Sequence, residues 1–83
     1  MRETRSFPVT NRKTLAAPIS GRIEAIHHQG YAVEVRLDTR HSFHLILEDA
    51  QDIVRAFKAD LRGRFAVFDG RFVHFPAEAP AAA

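Results

Sequence analysis

The 83-residue chain has no cysteine and no tryptophan, one tyrosine, one methionine and four glycines. Without cysteine there is neither a disulfide nor a thiolate metal site to staple so small a domain, so stability has to come from a packed core, with dimerisation a possible addition. No apolar run approaches the roughly 18 residues of a membrane span, which excludes a membrane-spanning helix. The charged N-terminus is not followed by an apolar segment, so a signal peptide is not expected and a cytoplasmic protein is the default reading. What the chain does have is 46% hydrophobic residues and seven phenylalanines, a large aromatic payload for one small domain.

Charge is unevenly spread. Arg2, Arg5, Arg12 and Lys13 against Glu3 make residues 1–18 +3, while the remainder, with eight basic and nine acidic side chains, is −1. Residues 1–18 contain Pro8 and Pro18 and lack periodicity, so they read as a basic extended arm, with Phe7 and Val9 able to add to a sheet edge. Such an arm reaches for phosphates in a salt-dependent way, although the ordinary reading of a terminus is a solvated tail. The Pro/Ala-rich residues 77–83 read as a disordered tail, leaving 19–76 as one β-rich domain.

Strict alternation at Tyr31, Val33, Val35 and Leu37 marks a strand whose other face carries Ala32, Glu34 and Arg36. Pairing has to keep apolar faces together, because a one-residue slip inverts every side chain. A three-residue loop at His28-Gln29-Gly30 sets Ile23 opposite Val35 and Ala25 opposite Val33. A second loop, Thr39-Arg40-His41, sets Leu37 opposite Phe43, Val35 opposite Leu45 and Val33 opposite Leu47. The expected inner face is Ile23, Ala25, Val33, Val35, Leu37, Phe43, Leu45 and Leu47. Ile26, Ala32 and Ile46 then form an apolar patch, suited to a dimer or partner contact, on a charged outer face.

A helix follows from about Asp49 to Arg62, with Ala50, Ile53, Val54, Phe57 and Leu61 on one face, Asp49 as N-cap and Gly63 as stop. Arg64–Phe68 and Arg71–Phe75 then form a hairpin about Asp69-Gly70. Phe65, Val67, Phe72 and His74 share one of its faces, and Arg64, Ala66, Phe68, Arg71, Val73 and Phe75 share the other. Both are substantially apolar, so one face is covered or left for a partner. The fold class is α+β, mostly β, with five antiparallel strands and one helix between strands three and four. Two arrangements satisfy that order: an OB-like small barrel, or a sheet with one helix packed on it.

Gly21-Arg22-Ile23, Gln29-Gly30-Tyr31-Ala32-Val33 and Ser42-Phe43-His44-Leu45 resemble the glycine and strand skeleton of the first three strands of cold-shock domains. Phe72-Val73-His74-Phe75 is similar to their second RNA-binding motif, although it lies in a different hairpin. The resemblance implies a small barrel that binds single strands by stacking bases on aromatic side chains. The matching aromatics here are Tyr31 and Phe43, and the alternation turns both inward.

Five histidines, at 27, 28, 41, 44 and 74, raise the question of a metal. The loops carrying His27/His28 and His41 lie at opposite ends of one strand, roughly 20–25 Å apart at about 3.3 Å per residue. His41 and His44 point to opposite faces. No cofactor or metal is expected, since such sites need three or four converging ligands. Ser20 and Ser42 lie in no nucleophile motif, Glu24 and Glu34 sit among arginines as a solvated lattice, and there is no phosphate loop. The expectation is a non-enzymatic binding protein.

Its candidate contacts are Arg2, Arg5, Arg12 and Lys13 of the arm, with Arg62, Arg64, Arg71, Phe68 and Phe75 about the final hairpin. Arginine interleaved with aromatics suits a single-stranded nucleic acid or a nucleoprotein complex, Arg64 and Arg71 contacting phosphates and Phe68 or Phe75 stacking. The ordinary reading makes the phenylalanines core and the arginines solvated. In size and composition the chain also resembles anti-CRISPR proteins, the compact inhibitors that phages encode. That resemblance implies one specific protein target, blocked by occlusion.

Overall fold

The fold turns on one long strand that changes partners halfway along. In a computed structural model of the chain, residues 4–76 are described. The elements are β1 (Arg5–Pro8), β2 (Ile19–Gln29), β3 (Ala32–Leu37), β4 (Ser42–Ile46), α1 (Leu47–Phe57), β5 (Phe65–Phe68) and β6 (Phe72–Phe75). The first part of β2 pairs with β5, Ile19 opposite Phe68 and Arg22 opposite Phe65. Its second part pairs with β3, from Ile23 opposite Leu37 to Gln29 opposite Ala32. All pairs are antiparallel, and the sheet runs β1-β6-β5-β2-β3-β4. Tail residues 77–83, like Arg2, lie outside the described residues.

Six strands form, not five, and the sheet is open, not a closed barrel. One cause accounts for both differences. Arg5–Pro8 pairs with β6, Arg5 opposite Phe75 and Pro8 opposite Phe72, and so occupies the edge that closure against β4 would need. Val9, next in the chain, is buried in the core. From the residues that follow, Asn11 Nδ2 donates to the His44 carbonyl of β4, and the Thr10 amide and hydroxyl donate to the Asp49 carboxylate after it.

Inner and outer faces follow the alternation, but the pairings are displaced. Val35 faces Phe43 and Val33 faces Leu45, two residues away from the expected partners. The displacement is even, so the buried set survives it. The loop keeps three residues but lies one residue earlier, at Asp38-Thr39-Arg40, with the Leu37 amide bonded to the His41 carbonyl and Arg40 at φ 70°. At the first hairpin the turn is Gly30-Tyr31, not His28-Gln29-Gly30. An irregularity between Ile23 and Ala25 then inserts one residue in β2. Because of it Ile23 and Ile26 both reach the core side, whereas Ala25 falls opposite Arg36 on the outer face. The outer apolar patch thereby loses Ile26 and shrinks to Ala32 beside Ile46. The final hairpin places Phe68 opposite Val73, again two residues from expectation with faces preserved.

The helix starts at Leu47, directly after β4, and ends at Phe57, with Lys58 in left-handed conformation and its amide bonded to the Val54 carbonyl. Asp49 is therefore a first-turn residue that receives Thr10, not the N-cap, and Gly63 lies in the connection to β5. Ala50 and Ile53 are buried, Phe57 is half-buried, and Leu61 reaches the core from beyond the helix. Val54, expected on the buried face, is 40% exposed. The core is Ile23, Val33, Val35, Leu37, Phe43 and Leu45 joined to Ala66, Phe68, Val73 and Phe75. Among the described residues no helix is long and apolar enough to cross a membrane.

Candidate functional site

The residues singled out above divide into separate groups. Arg5, at the start of β1, and Arg64, just before β5, converge on the phenyl ring of Phe57, their guanidinium carbons 4.6 and 4.0 Å from its centroid. Phe57 is in turn held by edge-to-face and tilted contacts with Phe75 and Phe7, at 5.0 and 5.7 Å. The cluster lies at the C-terminal end of α1, whose partial negative charge favours cations. Neither arginine forms an ion pair with a described carboxylate, and the Arg64 Nε is buried without a hydrogen-bond partner. Stacking fixes the plane of a guanidinium and leaves its edge donors for oxyanions.

Arg62, by contrast, is closed on Asp60, Nη2 and Nε lying 2.7 and 2.8 Å from the same carboxylate oxygen. That contact lowers the Asp60 pKa and raises that of Arg62. At the opposite end of the hairpin, roughly 16 Å from Arg64 at about 3.3 Å per residue, Arg71 is exposed. Lys13 joins it there, because the Lys13 amide donates to the Gly70 carbonyl. Arg12 borders a groove with Asp49 and Asp52, two opposing charges. The basic residues are thus spread over two ends of the sheet and do not form one surface.

Base stacking on Phe68 and Phe75 is overturned by their burial. They are 2% and 4% exposed, and Phe68 stacks on Phe43 at 4.6 Å with the rings 9° from parallel. The inward face of the hairpin is needed to complete the core, so no ring there reaches a base. Tyr31 is the reverse case: the strand pattern turns it inward, yet it sits in the β2–β3 turn and is 87% exposed.

Two features escaped sequence reasoning. A concavity of about 710 Å³ lies between α1 and the sheet, where Ile26, Val54 and Leu61 meet His28, Arg55 and Arg62. It exists because the shortened helix leaves that part of the sheet uncovered. The other is on the outer face, where Ser6 of β1 lies opposite His74 of β6. Ser6 Oγ is 2.7 Å from His74 Nδ1, and His74 Nε2 is 2.9 Å from Asp69 Oδ2. Asp69 Oδ1 accepts the amides of Arg71 and Phe72 at 2.8 Å each, closing the hairpin turn. A DG signal marks a turn; the serine and histidine are 68 residues apart, and no local signal joins them.

These contacts, the His74 hydrogen bond first and the two amides next, hold the Asp69 carboxyl down from 3.8 to about 2. A carboxylate more acidic in the folded than in the unfolded chain stabilises the fold above its unfolded pKa, and that contribution is lost as pH falls towards the folded value. Urea unfolding midpoints should therefore drop between about pH 4 and pH 2. In Asp69→Asn the midpoint should be lower at neutral pH and flatter across this window. An unchanged acid slope in the variant would assign the loss to other carboxylates.

Among the described residues no three His, Asp or Glu side chains are grouped as a metal site would need. No family model, curated protein or solved structure matches the chain.

Proposed function

We propose that the chain is a small non-enzymatic binding protein that docks on a nucleic acid or a nucleoprotein complex, with Arg5 and Arg64 as its phosphate contacts. The observation that carries this reading is the convergence of two guanidiniums on one phenyl ring with no described carboxylate between them. An isolated basic side chain on a surface is ordinary. Two that are stacked and oriented, with no ion pair to a carboxylate among the described residues, are suited to adjacent phosphates. Lys13 and Arg71 extend the charge to the other end of the hairpin. Stacking, where bases are reached, falls to exposed Tyr31 and to Phe72, which is 39% exposed.

The test is fluorescence anisotropy with single-stranded and duplex oligonucleotides at about 50 mM and about 200 mM salt. Micromolar or tighter binding that weakens with salt is expected. Replacing both Arg5 and Arg64 by alanine should reduce the magnitude of the salt slope by about 1.4 for single strands, at about 0.7 per phosphate contact. Absence of binding at the lower salt would sink the reading.

A second reading, occlusion of one specific protein target in the manner of an anti-CRISPR inhibitor, draws on a different observation. The outer face of β5 and β6 carries Phe65, Val67 and Phe72, none of them fully buried. Flat apolar sheet faces suit proteins better than phosphates. A partner captured by the wild type but lost on Phe72→Asp, with oligonucleotide binding absent, would favour it.

A further inference from the structure

The side chains of Ser6, His74 and Asp69 make a continuous hydrogen-bonded line across three parts of the chain: β1, β6 and the turn between β5 and β6. Its proton positions follow from the acceptor at its end. Asp69 is ionised and can only accept, so the hydrogen between it and His74 belongs to Nε2. In a neutral imidazole Nδ1 then holds a lone pair, and the Ser6 hydroxyl donates to it. A hydroxyl donating to an imidazole that is itself held by a carboxylate is the arrangement that activates a serine.

The backbone adds a second element. The Val9 amide donates to the Arg71 carbonyl, which makes Val9 and Arg71 a hydrogen-bonded pair of the β1–β6 ladder. Alternation makes Phe7 and Val73 another such pair, so Ser6 and His74 fall between them. The Ser6 amide therefore points away from β6, to the open edge of the sheet, as a donor beside its own Oγ. Around the imidazole are Phe72, whose ring stacks at 5.9 Å, Val67 from β5 directly opposite, Ser6 from β1 and the Asp69 carboxylate from the turn. Asp69 is the one charged group in direct contact with it among the described residues.

We propose that Ser6 is an activated nucleophile that is acylated once, without turnover, by activated esters, with His74 as its general base and Asp69 as a positioning residue. In the step, Ser6 Oγ bonds to the ester carbonyl carbon while its proton passes to His74 Nδ1. The carbonyl–oxygen bond to the leaving alcohol then breaks, and the alkoxide or phenolate departs with the electron pair. The His74 Nδ1 proton goes to the leaving group or to water. Ser6 is left as an ester, and Nε2–H remains on Asp69 throughout. Because the line lies on an exposed face, bulky donors are not excluded, and the selectivity is for the electrophile's reactivity. This proposal is independent of the phosphate contacts at Arg5 and Arg64, which lie on the other face of β1.

The experiment is to incubate the full chain with p-nitrophenyl acetate and, separately, with a fluorophosphonate. Intact mass and peptide mapping then locate the adduct, and far-UV circular dichroism verifies that each variant is folded. A single adduct at Ser6 is expected, absent in Ser6→Ala and in urea-unfolded wild type. His74→Gln, which keeps a polar side chain opposite Ser6, should slow labelling by about tenfold or more. Asp69→Asn should slow it less. No adduct, an adduct confined to lysines, or equal rates in wild type and folded His74→Gln would overturn the assignment.

Discussion

Phe68→Ala should destabilise the domain by about 3–5 kcal/mol, the range for removing a buried aromatic ring. Phe68 is 2% exposed, stacks on Phe43 and lies between Ile19 of β2 and Val73 of β6 in the sheet. A chain of this size has roughly 4–12 kcal/mol of total stability, so the loss is at least about a quarter of it and, at the lower end of that range, all of it. Urea unfolding followed by circular dichroism measures the loss. The paired substitution at Phe43 should then recover about 0.5–1.5 kcal/mol of coupling in a double-mutant cycle, the worth of an aromatic pair beyond its buried area. Were Phe68 a base-stacking residue, its removal would leave the unfolding midpoint in place and weaken only nucleic-acid binding. Burial makes the opposite outcome the expected one.

Gly70→Ala is the second large effect, and its origin is different. Gly70 has φ +97°, a conformation that side chains adopt only under strain, and a Cβ there would collide with the Lys13 carbonyl. The backbone term alone costs about 1–3 kcal/mol. The collision adds to it by displacing the chain that returns from β1, which is held here by the Lys13 amide on the Gly70 carbonyl and the Val9 amide on the Arg71 carbonyl. Gly30→Ala is the matched control: φ is +67° and no atom lies within 4 Å of its Cβ, so its cost should be about 1–2 kcal/mol. Gly70→Ala should show both the larger fall in urea midpoint and faster proteolysis between residues 10 and 18. Equal midpoints for the two variants would mean that the contact with Lys13 contributes little.

The alternation of Val33, Val35 and Leu37 with Glu34 and Arg36 determined by itself which side chains are buried. Side-chain direction along a strand is a local property with a period of two. The same logic held for Phe43 and Leu45 and for the two faces of the final hairpin. It survived a misplaced loop after β3 and a longer loop after β5 because each error displaced the pairing by two residues, which changes partners without changing faces. The first hairpin shows where this protection fails: one extra residue in β2 exchanged the roles of Ala25 and Ile26. The pattern that marks a strand does not mark such an insertion. Helix position was legible from the spacing of Ala50, Ile53 and Phe57, whereas its early end at Lys58 and the reach of Leu61 from the following turn were not.

Only the tertiary structure decided whether seven phenylalanines were core or contact, because composition is the same in both cases and burial depends on what lies above the sheet. It placed Phe68 and Phe75 inside and Tyr31 outside. The sequence allowed the arm to add to a sheet edge at Phe7 and Val9; the tertiary structure chose the β6 edge, and with that single pairing set both candidate chemistries. Arg5 came to Phe57 and Arg64 on one face of β1, and Ser6 came to His74 on the other. Residue types and charges are carried by the sequence one position at a time. Partners as far apart as Ser6 and His74, 68 residues, are chosen by the register of β1 on β6, which the packing of Phe7 and Val9 into the core selects.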